Sequence, residues 1–317
     1  MDFIESIKAA AKDIRPFVKK TPLVRSSFFS DLTGINVWFK LENEQVTGSF
    51  KARGATNKIL SLSRQEKENG IISASTGNHG AAVAYAANQL GVRCTIYVPK
   101  NSDKKKIYNM KKFGANIKEF GDDCIMAEEK ARNNSEKKNK VYVSPYNDPL
   151  VIAGQGTIGL EIQSQIDKLD GIIIAVGGGG LIGGIGSYLK FIWPEIRIVA
   201  CSPENSAVML HSIDAGKILD LESKPTLSDG TAGGVEHNSI TFPLCSDVID
   251  QSIFVSEKEI SSAMVSYIDN EKNQIEGAAG TAVAALMKNK DSLSGNSVCV
   301  VICGGNISAD KIQKVFS

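Results

Sequence analysis

The sequence predicts an α/β protein built on mostly parallel, twisted sheets flanked by helices, and three observations carry that expectation. Short Val- and Ile-rich runs recur along the chain, each followed by a segment of helical period. Several of these runs, such as Ile172-Ile173-Ile174-Ala175-Val176, are apolar without alternation, as strands covered on both faces are. At 317 residues the chain is long enough for about two domains of roughly 150 residues each, or one large α/β unit.

Taken in order, residues 71–74 read as a strand, followed by a glycine-containing turn and an alanine-rich helix through residues 81–87. Residues 93–98 form the next strand, ended by Pro99, and residues 102–113 the next helix, closed by Gly114 just past its end. A third strand over 117–120 and a third helix over 122–133 complete a strand–turn–helix rhythm spanning 70 to 147. The lysine-rich stretch 130–140 reads as a solvated helix end and loop. Residues 171–176, 196–201 and 297–303 are strands of a second sheet. No repeat or Pro/Ser-rich linker separates the two halves, so the domains are interleaved by chain crossings.

Composition narrows the function. Apolar residues at 42% and charged residues at 22% exclude a natively unfolded chain. A formal charge of +1 gives no electrostatic footprint for nucleic acid or a membrane surface. The six cysteines stand singly, with no CxxC pair, which argues against a disulfide scaffold or a structural zinc and suits the reducing cytoplasm. The acidic, amphipathic start Met1-Asp2-Phe3-Ile4-Glu5 is unlike a secretory signal, and no apolar run reaches 18 residues.

Three segments carry chemistry. Gly177-Gly178-Gly179-Gly180 follows a buried strand and opens a helix, so several bare N–H groups can converge on one anion. A flexible turn is the plain alternative, but four glycines cost chain entropy with no packing return. The run is neither GxGxxG nor GxxxxGK[ST], which disfavours dinucleotides and nucleoside triphosphates. Lys51 lies between Phe50 and a helix start, and a partly desolvated lysine is an amine nucleophile fit for Schiff-base chemistry. Ser75-Thr76-Gly77-Asn78-His79-Gly80 stands between a strand and a helix, where hydroxyl, amide and N–H donors can face a carboxylate.

Ser49-Phe50-Lys51 with Arg53-Gly54-Ala55, Ser75 to Gly80, Ala153-Gly154-Gln155-Gly156-Thr157, Gly177 to Gly180 and Cys303-Gly304-Gly305-Asn306 together resemble the pyridoxal-phosphate enzymes of fold type II, the tryptophan synthase β-like group. Within that group the chain is most similar to threonine/serine dehydratases and serine racemases, from Lys20-Thr21-Pro22-Leu23 to the last strand. The resemblance implies a large cofactor domain of residues 1–50 plus 148–317 and a small domain of residues 51–147, with the active site between them. It implies pyridoxal 5'-phosphate held by Lys51 as a Schiff base, its ring packed on Phe50 and its 3-hydroxyl bonded to Asn78. Gly177, Gly178, Gly179, Gly180 and the Leu181 N–H would hold the phosphate. Glu276 would stand near the ring, or else serve as an ordinary carboxylate at a helix N-terminus. Cys303 would lie beside the pyridine nitrogen.

The same resemblance makes Lys51 the base for the substrate α-proton, with the cofactor phosphate assisting hydroxide departure. It assigns Ser75, Thr76, Gly77, Asn78, His79 and Tyr146 to the substrate. Thr76 stands where racemases place a catalytic serine, and Tyr146 where they tend to carry an asparagine. A thiol at 303, unlike an aspartate, would not keep the pyridine nitrogen protonated, which favours elimination over transamination. Ser202, Ser206 and Val208 occupy the family's divalent-metal positions, so no metal is expected there. His79 reads as a backbone-bonding residue rather than a general base, His211 and His237 as surface residues, and residues 229–235 as a wall or lid.

The implied activity is an ammonia-lyase acting on L-threonine, L-serine or a related β-hydroxy amino acid, giving a 2-oxo acid and ammonia. Alternatives are a serine racemase, or a dehydratase of a specialised substrate such as hydroxyaspartate or a hydroxyectoine-derived amino acid. A cytoplasmic homodimer without a C-terminal effector domain is expected.

Overall fold

The computed structural model describes residues 2–290, 295 and 297–316. Among the described residues ten strands form two sheets. They are β1 Leu23–Ser26, β2 Asn36–Leu41, β3 Ile71–Ala74, β4 Cys94–Val98, β5 Asn116–Glu119, β6 Val141–Tyr142, β7 Gly171–Ala175, β8 Arg197–Pro203, β9 Gln251–Val255 and β10 Ser297–Ile302. The larger sheet has the order β1-β2-β10-β7-β8-β9 and the smaller β5-β4-β3-β6. Every pairing is parallel except β1 with β2.

The apolar runs of the sequence are the buried strands. β7 is buried along its whole length, and Ile172, Ile173 and Ile174 are packed with Val298, Val300 and Ile302 of β10 in one core. A separate core around Ile71, Val83, Ile96 and Met110 supports the smaller sheet. The expected helices are present with shifted ends: Asn78–Gln89, Lys104–Lys112 and Cys124–Lys137. The last runs four residues beyond the expected end, from the Asp123 side chain, which accepts from the Met126 N–H, to Lys137.

Two order changes position the site. In the smaller sheet β3 lies between β4 and β6, and in the larger β7 lies between β10 and β8. In open parallel sheets the crevice at such a reversal, outside the carboxyl ends of the strands, is the place left for a ligand. Residues 75–80 leave the carboxyl end of β3, residues 176–180 that of β7 and Cys303 that of β10. No helix among the described residues is long and apolar enough to cross a membrane.

Candidate active site

Lys51 begins the helix Lys51–Leu60. The chain reaches it from the large sheet, because Ser49 bridges to Gly304 and the Phe50 N–H donates to the Cys303 carbonyl at 3.1 Å. The end of β10 is thereby held one residue from the lysine. Lys51 Nζ donates to the Pro145 carbonyl at 2.7 Å and lies 5.1 Å from the centre of the Phe50 ring. Burial pulls the amine down to about 8, against the pull of Cys303 and Glu276. Such an amine is partly neutral near physiological pH and so a usable nucleophile and base.

The four glycines are each required by a close neighbour. A Cβ on Gly177 would stand 2.7 Å from the Thr231 carbonyl oxygen, one on Gly178 would overlap the Tyr146 ring, and one on Gly180 would reach the Tyr146 Cβ at 3.1 Å. Gly179 has φ +84°, in the left-handed region, and a Cβ there would lie 2.6 Å from Cys245 Sγ. Gly179 is the N-cap of the helix Gly180–Ile192, so the first-turn N–H groups, Leu181 included, have no intrahelical acceptor. This is a bare-backbone anion cradle at a helix start. Tyr146 links it to the lysine, since its ring lies on Gly178 while the preceding Pro145 carbonyl accepts from Lys51.

On the opposite wall Asn78 starts the helix Asn78–Gln89, whose N-cap Gly77 makes no side-chain cap bond. The first-turn N–H groups beside Ser75 and Thr76 thus lack a capping oxygen. The Ser75 hydroxyl accepts from the Gly77 N–H at 3.1 Å. Asn78 Nδ2 reaches both carboxylate oxygens of Glu276, at 2.8 and 2.9 Å, and Asn78 Oδ1 accepts from Asn306 at 2.8 Å. Glu276 occupies the N-cap of the helix Gly277–Lys288 but makes no cap bond. Its carboxyl is buried against Gly304, where a side chain would collide with it. Burial raises it to about 7, opposed first by the Asn78 hydrogen bond. Burial also holds the Cys303 thiol well above its ordinary value, so it is neutral.

His79 is buried with its ring bonded to the Val143 carbonyl at 2.9 Å, and desolvation with the nearby Lys51 charge lowers it to about 3. Its ring is uncharged and structurally engaged, whereas His211 and His237 are exposed. The Tyr146 ring covers the glycine cradle and its hydroxyl accepts from the Glu236 N–H at 3.0 Å. The loop 229–235 does form a wall, with Thr231 against Gly177 and Gly230 beside Ala278 and Glu276. At the positions where the family carries metal ligands, Ser202 donates to the Val176 carbonyl, Ser206 pairs with Ser223, and Val208 is buried. Among the described residues no group of three or more His, Cys, Asp or Glu is placed to hold a metal ion.

Sequence reading gave no role to a buried charge network beneath Lys51. Arg53 meets Glu42 at 2.8 Å and Glu161 at 2.7 Å, and Lys40 meets Glu161 at 2.6 Å. Arg53 stands two residues from Lys51, which was the only available signal. The network ties the lysine's helix to β2 and to the helix Pro149–Gln163.

A buried amine of lowered pKa, a bare anion cradle and a neutral thiol on the adjoining strand end fit pyridoxal phosphate in donor type and charge. Residues 14–304 match the family described as "Pyridoxal-phosphate dependent enzyme". The chain belongs to that family, in its fold-type II branch of threonine/serine dehydratases. It is 39% identical to an L-threonine ammonia-lyase of Thermotoga maritima over 99% of this chain and 78% of that protein. Among solved structures, maize serine racemase superposes with a TM-score of 0.93 at 32% identity, covering 99% of this chain and 96% of the other. The processed form of threonine deaminase isoform 2 from Solanum lycopersicum gives 0.93 at 32%, covering 99% and 91%.

Proposed function

We propose that this protein is a pyridoxal-phosphate dependent ammonia-lyase that converts L-threonine, L-serine or a related β-hydroxy amino acid to a 2-oxo acid and ammonia. The observation that carries the proposal is the Lys51 amine, lowered to about 8 by burial, held through Pro145 and Tyr146 beside the glycine cradle and next to a neutral thiol at 303. When bound, pyridoxal phosphate supplies an aldehyde that condenses with amines and a ring that accepts the electron pair left when an α-proton departs.

The chain's own residues do the rest. Gly177 to Gly180 and the Leu181 N–H would bind the phosphate, and Phe50 would lie against the ring. Lys51 would hold the cofactor through its aldehyde, and the same amine is the base that would take the substrate α-proton. The Ser75 and Thr76 hydroxyls, with the first-turn N–H groups of Asn78 and His79, would orient the substrate carboxylate so that the α-proton faces Lys51. Asn78 and Glu276 form one hydrogen-bonded unit that would stand beside the ring. Beside the pyridine nitrogen Cys303 would offer a neutral thiol in place of a carboxylate and so would not keep that nitrogen protonated, which favours elimination of the β-hydroxyl over transamination. We take residues 1–50 plus 148–317 as the larger domain and residues 51–147 as the smaller, with these groups drawn from both sides of the cleft between them. We place the enzyme in the cytoplasm as a homodimer.

A panel of L- and D-β-hydroxy amino acids, scored for 2-oxo acid release with added pyridoxal phosphate, tests the reading. The purified protein should show the cofactor's visible absorption, lost in Lys51→Ala; a protein that never takes up the cofactor would refute it. The Thr76 hydroxyl, standing at the position of the racemases' serine, favours racemisation as the second reading. In that case D-serine would form faster than pyruvate, and Thr76→Ser would raise the ratio. Hydroxyaspartate or hydroxyectoine-derived substrates are separated by the same panel.

A further inference from the structure

Glu236 has no place in the chemistry above, yet it joins three segments that surround the cleft. Its Oε1 accepts from Arg132 Nη2 at 2.9 Å and its Oε2 from Asn147 Nδ2 at 2.9 Å. Its backbone N–H donates to the Tyr146 hydroxyl at 3.0 Å. Asn147 is held at its other end too, where Oδ1 accepts from the Ile240 N–H at 3.0 Å. Residues 146 and 147 are therefore gripped from both sides by the segment 236–240.

Arg132 is a prepared partner. It lies on the helix Cys124–Lys137, which belongs to the smaller-sheet half, and its guanidinium stands 4.3 Å from the centre of the Tyr142 ring. Glu128, one turn earlier, holds it at 2.8 Å. Stacking and the intrahelical pair fix the guanidinium before it meets Glu236, which lowers the ordering cost of the bond across the cleft. The loop that ends at Glu236 also walls the cleft through Thr231 and Gly230, and at its other end Asp229 meets Lys311 at 2.7 Å and Lys106 at 3.7 Å.

We infer that Glu236 is a positioning residue: by holding Arg132, Asn147 and Tyr146 at once it closes the smaller-sheet half onto the loop and sets Pro145-Tyr146 against Lys51 and the glycine cradle. This rests on the lyase reading above. A carboxylate that stabilises the closed arrangement raises apparent affinity for whatever binds in the cleft, and its removal returns that factor. The Arg132–Glu236 pair is half-exposed, so salt screens it.

The test compares wild type with Glu236→Gln, Arg132→Met and the double variant. It measures pyridoxal phosphate affinity by absorbance titration of the apoprotein, and KM and kcat for the best β-hydroxy amino acid at low and high ionic strength. Each single variant should weaken cofactor affinity and raise KM by about tenfold while kcat changes less than about threefold. The double variant should be no worse than the poorer single, and the wild-type rise of KM with salt should vanish in all three. Folded variants that keep affinity, KM and salt response within about twofold of wild type overturn the inference, and so does a lowered melting temperature with those quantities unchanged. If Glu236→Gln fails to fold, Arg132→Met, on a solvent-facing helix, decides alone. Should wild type bind cofactor yet release no 2-oxo acid, the lyase reading fails and the cofactor titration still decides this inference.

Discussion

Asn78 Nδ2 lies 2.8 and 2.9 Å from the two carboxylate oxygens of Glu276, joining the helix start after β3 to the helix start that faces β10. The two residues are 198 positions apart in sequence. Their pairing crosses the cleft and places a carboxyl raised to about 7 within the electrostatic reach of Lys51, Lys106 and Asp229.

Because the folded pKa of Glu276 is raised from 4.5, the folded state holds a proton there that the unfolded state has released between about pH 4.5 and 7. Its stability contribution is fully present below pH 4.5 and is lost as pH rises through 7. The shift corresponds to about 3 kcal/mol in order of magnitude. Glu276→Gln keeps an acceptor for Asn78 and removes the titration. Chemical denaturation should therefore find the variant gaining on wild type between pH 5 and 8, and a constant difference across that range would contradict the assignment.

The Lys51 amine, lowered to about 8, should condense with pyridoxal phosphate along a pH profile centred there, with the neutral fraction growing as pH rises. Borohydride reduction followed by peptide mass spectrometry reads the modified site. Ordinary surface lysines set the comparison, with their midpoint near 10.4. A Lys51 profile indistinguishable from theirs would show that the amine is solvated.

Gly178→Ala should overpack the cradle against the Tyr146 ring and cost about 1–3 kcal/mol. In a Tyr146→Ala background the collision is gone, so the same substitution should cost much less. Melting temperatures of the four proteins form a double-mutant cycle. Additive effects would mean that the ring does not lie on Gly178.

Much of this site was legible because its motifs are local. Gly177 to Gly180 and Ser75 to Gly80 each follow a strand end, the Phe50-Lys51 pair opens a helix, and burial of the strands wrote itself as apolar runs such as residues 172–176. What could not be read depends on contacts between distant segments. Tyr146 lies on glycines more than thirty residues further on because the end of β6 faces the exit of β7, and nothing in its own neighbourhood encodes that. Glu276 has the sequence signature of a capping acid, yet its carboxylate turns to Asn78, whose amide is the nearer strong donor in a buried setting. Arg132 reads as one charge in a solvated run; its bond to Glu236 spans 104 positions.

Arg53 supplies the last prediction. Its guanidinium is buried between Glu42 and Glu161, and Lys40 is the second cation of the group, touching Glu161 but held below its ordinary pKa by burial. Arg53→Met removes the cation that both carboxylates share, and stranding a buried charge in this way typically costs about 3–5 kcal/mol. The loss should depend on pH. Arg53 and Lys40 together outweigh burial and hold Glu161 below its ordinary value. A depressed carboxylate stabilises the fold above its unfolded pKa and ceases to do so as pH falls through the folded one. Without Arg53 the Glu161 carboxylate takes up a proton more readily, and the neutral acid tolerates burial. The stability gap between wild type and Arg53→Met should therefore be widest near neutral pH and narrow below about pH 4.5, the ordinary glutamate range. Denaturation midpoints measured from pH 4 to 8 check it, and a gap that widens on acidification would show that Arg53 does not hold Glu161 ionised.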